Sequence, residues 1–149
     1  MGKKIIAERW QRGEAVGGGG QATVYKATEI DNPTEIFALK YLKKQDDIER
    51  RKRMFNEVNN VKLLENVHLI SIIDTNCNLY ESKNVDLYYV TSYIEGCTLE
   101  KYCDENDIPF LEALSLFKEM LKVVSYCHEK KILHRDIKPE NIMLKDNNL

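Results

Sequence analysis

His134-Arg135-Asp136-Ile137-Lys138-Pro139-Glu140-Asn141 is a polar run set between two apolar ones, Ile132-Leu133 before it and Ile142-Met143-Leu144 after it. The pattern predicts a loop anchored by buried flanks, and Pro139 forbids a regular helix within it, which keeps the spacing of the polar groups rigid. Asp136 is placed to accept a hydroxyl proton, Lys138 to neutralise a transferring phosphate, and Asn141 to hold a metal ion. Phosphoryl transfer needs this set of groups, because its chemistry is largely positioning and charge stabilisation.

The 149-residue chain as a whole suits a soluble globular domain, with 43% hydrophobic and 31% charged residues and a formal net charge of -2. That charge gives no reason to expect nucleic acid or an anionic membrane as the main partner. The apolar run near the N-terminus is too short for a secretory signal, and no later run is long enough to span a bilayer. Cys77, Cys97, Cys103 and Cys127 show neither zinc-ligand nor CxxC spacing, so reduced thiols and a cytoplasmic location are expected.

Gly17-Gly18-Gly19-Gly20 forms the second informative stretch, preceded by Glu14-Ala15-Val16 and followed by Gln21-Ala22-Thr23-Val24-Tyr25. Successive glycines let the backbone approach a ligand, and their amides are able to line a phosphate. The simpler reading is a flexible turn. A dinucleotide fingerprint also fits as written, Gly17-x-Gly19-x-x-Ala22, but it requires a helix to start there. Thr23-Val24-Tyr25 are strand formers, so strand, glycine turn, strand is the expected order.

Glu35 to Leu42 reads as a strand with Lys40 as its one embedded charge, a position that by itself suits an edge lysine reaching for solvent. Gln45 to Asn66 has helical periodicity, with acids first and the basic run Arg50-Arg51-Lys52-Arg53 read as a solvated face. Glu57 lies at the margin of its apolar side. Leu69–Ile73 and Val85–Val90 read as two further strands, giving five strands and one helix in the first ninety residues. Beyond Thr91 the pattern becomes helical: a short helix over 98–106 capped by Thr98, then a long apolar helix from Pro109 to His128, which belongs in a core. A final strand is expected to end at Asn147-Asn148-Leu149.

Together the glycine loop, the strand lysine of Phe37-Ala38-Leu39-Lys40, the helix glutamate and the His-Arg-Asp-x-Lys-x-x-Asn loop resemble the eukaryotic-type serine/threonine protein kinases, in order and spacing, from about Trp10 to Leu149. The resemblance implies an α+β, protein-kinase-like fold: a five-stranded antiparallel N-lobe sheet with one helix in residues 1–91, then a hinge and the start of a helical C-lobe in 92–149. It implies ATP and Mg²⁺ as cofactors and a protein with Ser or Thr as substrate. Val16, Val24 and Ala38 would cover one face of the adenine and Met143 the other. The Ser92 carbonyl and Ile94 amide would meet its edge, with Thr91 as gatekeeper. Gly17, Gly18, Gly19, Gly20, Gln21 and Ala22 would cover the phosphates.

Lys40, paired with Glu57, would contact the α- and β-phosphates. Asp136 would orient the hydroxyl and take its proton, Lys138 would stabilise the γ-phosphate, and Asn141 would hold Mg²⁺. His134 would pack within the core, and Arg135 would pair with a phosphorylated activation loop. Gln21 and Ala22 depart from the usual aromatic and third glycine, and Ser92 from the usual hinge acid. The sequence given stops before any Asp-Phe-Gly, so it resembles roughly the first half of the family's domain, with little transfer expected of these residues alone. It would also leave the long helix with an exposed apolar face open to a partner. The competing readings are a non-catalytic nucleotide-binding or partner-docking fragment and, more remotely, a small-molecule kinase.

Overall fold

A computed structural model describes residues 4–145 of the chain. Its first part is a six-stranded antiparallel sheet built from β1 (Lys4–Ile6), β2 (Trp10–Gly18), β3 (Ala22–Glu29), β4 (Phe37–Leu42), β5 (Ile72–Thr75) and β6 (Tyr88–Ser92). The strands lie in the order β1-β2-β3-β4-β6-β5, with the helix α1 (Ile48–Lys62) between β4 and β5. The α+β, kinase-like architecture is as expected, and the five expected strands are joined by a sixth, β1. Its hairpin with β2 turns through Ala7 and Glu8, both at positive φ (50° and 57°), and no Asn-Gly or Asp-Gly marks it in the sequence.

Two strands lie further along the chain than the periodicity suggested, at 72–75 and 88–92 instead of 69–73 and 85–90. Asp74, which reads as the start of a polar connection, sits within β5. Its Oδ2 accepts hydrogen bonds from Trp10 Nε1 (2.5 Å) and Tyr88 Oη (3.0 Å). Trp10 is fully buried, and a buried indole N–H needs such an acceptor. One side of the sheet is closed by Ile6, Trp10, Ala27, Phe37, Leu39, Tyr88 and Val90. On the other side, Ala22, Leu42, Leu87 and Tyr89 pack with Met54 and Val58 of α1 and with Cys77.

Asp47 caps α1, accepting from the amides of Glu49 (3.1 Å) and Arg50 (3.2 Å). The basic run that follows is not one solvated face. Arg51 is fully buried, and each of its five N–H groups meets a main-chain carbonyl: Tyr80 (2.5 Å), Gln45 (3.0 Å), Val85 (2.9 Å), Leu79 (3.0 Å) and Ser82 (2.7 Å). The side chain therefore ties α1 to the segment around the 3₁₀ turn Cys77–Leu79. Helical periodicity alone does not reveal this, because four of the five acceptors are backbone groups 28 to 34 residues away.

The chain divides into two compact units, one comprising residues 1–63 and 70–93, the other 64–69 and 94–149. The second contains β7 (Cys97–Thr98), α2 (Leu99–Glu105), α3 (Phe110–Glu129), a 3₁₀ turn at Pro139–Asn141 and β8 (Met143–Leu144). Thr98 caps α2 as expected, accepting from Lys101 N at 3.2 Å. The amide of Glu65 donates to Tyr126 Oη (2.9 Å), fastening the 64–69 segment to α3. Cys97 pairs with Leu144 and Thr98 with Met143, and a Cβ on Gly96 would collide with the Leu144 carbonyl, so this position requires glycine. The expected strand end at 147–149 lies outside the described residues. Among those described, no helix is long and apolar enough to cross a membrane, and all four cysteines are free.

Arg51→Ala removes the donors for five buried carbonyls and should lower unfolding stability by at least about 3 kcal/mol in urea denaturation, whereas Arg53→Ala on the exposed side should stay within about 0.5 kcal/mol. A pH effect is also expected. Burial, and then hydrogen bonds to Asp86 and Asp74, push the phenols of Tyr41 and Tyr88 well above the ordinary tyrosine range. The unfolded chain ionises these phenols near about pH 10. Their contribution is therefore complete below that pH and is lost as pH rises above it. The melting temperature should fall as pH rises above about 10, and less steeply in a Tyr41→Phe/Tyr88→Phe variant.

Candidate active site

Strand register sets the site in the first unit. Val24 of β3 lies opposite Lys40 of β4, which lies opposite Tyr89 of β6; in the next row Lys26, Ala38 and Thr91 align. Residues directly opposite in antiparallel strands share a face, so Val24, Ala38, Lys40, Tyr89 and Thr91 all lie on the side away from Trp10. Lys40 Nζ donates to Glu57 Oε1 at 2.6 Å, joining the strand to α1 across 17 positions of sequence. Lys40 is therefore not an edge residue reaching for solvent: its side chain is 30% exposed and that of Glu57 is 42% exposed. Tyr89, almost fully buried, donates its phenol proton to the same Oε1 at 2.7 Å, and Lys40 Nζ lies 5.3 Å from the centre of the Tyr89 ring. Burial, with the neighbouring Glu57 charge, raises the Tyr89 phenol far above its usual range and keeps it protonated.

The glycine stretch is the turn between β2 and β3, not the start of a helix, which removes the dinucleotide reading. A register shift between Ala15 and Gly17 leaves Val16 in a bulge, where it is 42% exposed. Gly18 has φ 148°, and a Cβ there would approach the Ala22 carbonyl to 2.7 Å, so glycine is required. Gly17, Gly19 and Gly20 have open space around them. The amide of Gly19 donates to Ala22 O (3.0 Å), closing the turn. Two basic side chains and one backbone amide hold the loop's carbonyls: Lys43 Nζ on Gly19 O (2.8 Å), Arg50 Nη1 on Gly20 O (2.6 Å) and the Lys43 amide on Gln21 O (2.8 Å). At the end of β6, Thr91 is buried and its hydroxyl donates to the Ser92 carbonyl at 3.3 Å. Ile94 falls in the second unit.

In that second unit the His134 to Asn141 loop closes on itself. Asn141 Nδ2 donates to the Asp136 carbonyl (2.8 Å) and to Asp136 Oδ2 (2.7 Å), while Lys138 Nζ lies 3.8 Å from Asp136 Oδ1. The three polar residues picked out by spacing are thus neighbours in space. The turn at Pro139 makes this possible: the Asn141 amide donates to Lys138 O at 2.9 Å, bringing the side chain back over Asp136. Arg135 adopts φ 64°, a left-handed conformation that costs a non-glycine residue about 1–2 kcal/mol. Met143 follows on β8 and is half-buried.

Two expectations for this region need correction. The flanks are only partly buried: Leu144 is 1% exposed but Leu133 is 58% exposed. His134 is exposed rather than packed in a core. The long helix, as expected of these residues alone, turns an apolar stripe outward, with Phe110, Leu111, Leu114, Phe117 and Leu121 all at least half exposed and only Cys127 buried. The pattern that reads as a core helix is real, but within its own unit little covers it.

The donor set fits Mg²⁺. Both hydrogen bonds from Asn141 use its amide nitrogen, so Oδ1 is not engaged by either, and Mg²⁺ prefers such hard oxygens together with waters and phosphates. Among the described residues no group of three or more His, Cys, Asp or Glu converges as a metal cage. Sequence reasoning missed Tyr89 and the Lys43 and Arg50 ties to the glycine loop. Its one available signal for Tyr89 was that the residue lies two positions before Thr91, hence on the same strand face.

The model of the protein kinase domain matches residues 10–149. Serine/threonine-protein kinase PrkC of Bacillus subtilis is 33% identical over 145 residues, which cover 95% of this chain and 21% of PrkC. A probable serine/threonine-protein kinase of Clostridium acetobutylicum is 31% identical over 148 residues, 97% of this chain and 22% of that protein. CBL-interacting protein kinase 15 of Oryza sativa is 26% identical over 147 residues, 97% of this chain and 32% of its own length. The chain therefore spans about a fifth to a third of the length of these relatives. With the Lys40–Glu57 pair, the glycine turn and the Asp136–Asn141 loop in place, the chain belongs to the protein kinase domain family.

Proposed function

We propose that the chain provides the nucleotide-binding and catalytic-loop part of an ATP- and Mg²⁺-dependent serine/threonine protein kinase. Residues 1–91 act as the N-lobe, and 92–149 as the hinge and the start of the C-lobe. The observation that carries the reading is the 2.6 Å Lys40–Glu57 pair, formed by a strand and a helix on the sheet face that also presents Val24, Ala38 and Thr91. A cation held in this way has a defined position for the α- and β-phosphates, which is what the reaction requires of the protein.

Val16, Val24 and Ala38 then contact one side of the adenine and Met143 the other, and the Ser92 carbonyl and Ile94 amide meet its edge. The glycine turn from Gly17 to Ala22 covers the phosphates. Asp136 orients the attacking hydroxyl and takes its proton, and Lys138 offsets charge on the transferring γ-phosphoryl group. Asn141 would hold Mg²⁺ through Oδ1, and the ion when bound would supply positive charge at the phosphates. Lys138 two positions after Asp136 favours Ser or Thr as the acceptor. A second reading, a docking module with intact nucleotide contacts, is favoured by the exposed apolar stripe on α3.

Calorimetric titration with Mg-ATP should show binding that weakens by at least about tenfold in Lys40→Ala. Asp136→Asn should retain Mg-ATP binding while transfer from γ-labelled ATP to Ser/Thr peptides, measured on the protein carrying this chain, falls by about 10²–10⁴. Wild-type transfer rates in Asp136→Asn would overturn the assignment of that residue. Tight Mg-ATP binding without any transfer by the wild type would favour the docking module.

A further inference from the structure

Tyr89 fills its place in the core as a phenylalanine would, among Leu87, Cys77, Met54 and Val58, except for its hydroxyl. That hydroxyl leaves an apolar surrounding to reach Glu57 Oε1 at 2.7 Å, the same oxygen that Lys40 Nζ contacts at 2.6 Å. The ring itself lies beside the Lys40 ammonium, 5.3 Å from ring centre to Nζ, within the range of a cation–π contact. Lys40 and Tyr89 are direct cross-strand partners on β4 and β6, so their proximity is fixed by the ladder and does not depend on α1. Glu57, by contrast, arrives on a helix.

We propose that Tyr89 is a positioning residue: its phenol holds Glu57 of α1 on Lys40, so that the phosphate-facing pair is a triad of Lys40, Glu57 and Tyr89. The proposal rests on the nucleotide reading of Lys40 given above for its catalytic consequence, but the triad itself is a property of the folded chain. If α1 moved away from the sheet, two buried or half-buried donors would lose one acceptor together. The Tyr89 hydroxyl would then be left unpaired in an apolar cluster. The sheet therefore favours the helix position in which Glu57 and Lys40 are joined. A strand residue with no polar tip at this position would leave that task to the ion pair alone, which is half open to solvent and weak in such a setting.

The test uses Tyr89→Phe, which keeps the ring, together with Glu57→Ala and the double variant, each checked for wild-type circular dichroism. The first readout is nucleotide-free: the rate at which an amine-reactive acylating reagent labels Lys40, followed by mass spectrometry. Tyr89→Phe should accelerate labelling several-fold by loosening Glu57 from the amine, and should have no further effect once Glu57 is alanine. The second readout is Mg-ATP affinity, expected to fall by about tenfold in Tyr89→Phe, the worth of one hydrogen bond to a charged group, and again not to fall further in the Glu57→Ala background. Unchanged labelling in Tyr89→Phe, or an equal change with and without Glu57, would overturn the proposal. Coupled labelling with no Mg-ATP binding by the wild type would uphold the triad and sink the nucleotide reading instead.

Discussion

The pairing of β4 with β6 is the constraint on which the first unit depends. It sets Lys40 opposite Tyr89 and Ala38 opposite Thr91, and the pleat then sends Leu39 and Val90 to the other side. One face thus receives the groups that handle charge, and the other receives the Trp10 core. A one-residue slip would exchange the two sets, burying Lys40 against Trp10 and turning Leu39 toward α1. Part-buried polar partners oppose such a slip. Asp74 accepts from both Trp10 and Tyr88, and the Gln45 side chain joins the end of β4 to the start of β6 through Leu42 O, Leu87 O and Leu87 N.

Above that sheet, α1 is located by contacts of different kinds along its length. Asp47 stops it at the N-terminus, Arg51 fastens one turn to main-chain carbonyls, Met54 and Val58 pack into the apolar cluster, and Glu57 reaches the sheet. Arg50 adds a link to the glycine turn through Gly20 O. Helix and glycine turn are therefore joined through backbone carbonyls, groups whose positions follow the fold and not the identity of the side chains. In the second unit the 134–141 loop is organised by a different device, a single amide side chain bonding back across a proline turn to Asp136.

Much of this was legible in the residues. The elements occurred in the expected order and Thr98 was recognisable as a cap; rigid local spacing marked Asp136, Lys138 and Asn141, whereas Lys40 and Glu57 were singled out only through the family resemblance, since periodicity alone makes Lys40 an edge lysine. The positions of β5 and β6 were misjudged, since a half-buried aspartate such as Asp74 looks like a loop residue until its two donors are known. β1 was missed because its hairpin uses Ala7 and Glu8 in place of the usual turn residues. Arg51 was misread because a charge run normally faces solvent, and only the carbonyls of a distant segment make its burial tolerable.

The sequence by itself determined the family, the polar constellation of the 134–141 loop and the apolar character of α3, because these depend on residue type at short range. Only the tertiary structure decided which way each of them faces. Strand register placed Tyr89 beside Lys40, the 79–85 segment gave Arg51 four of its five carbonyl acceptors, and the packing within the second unit left the α3 stripe exposed. These are consequences of pairing between segments far apart in the chain, where backbone carbonyls and shared carboxylate oxygens serve as partners that no spacing rule encodes.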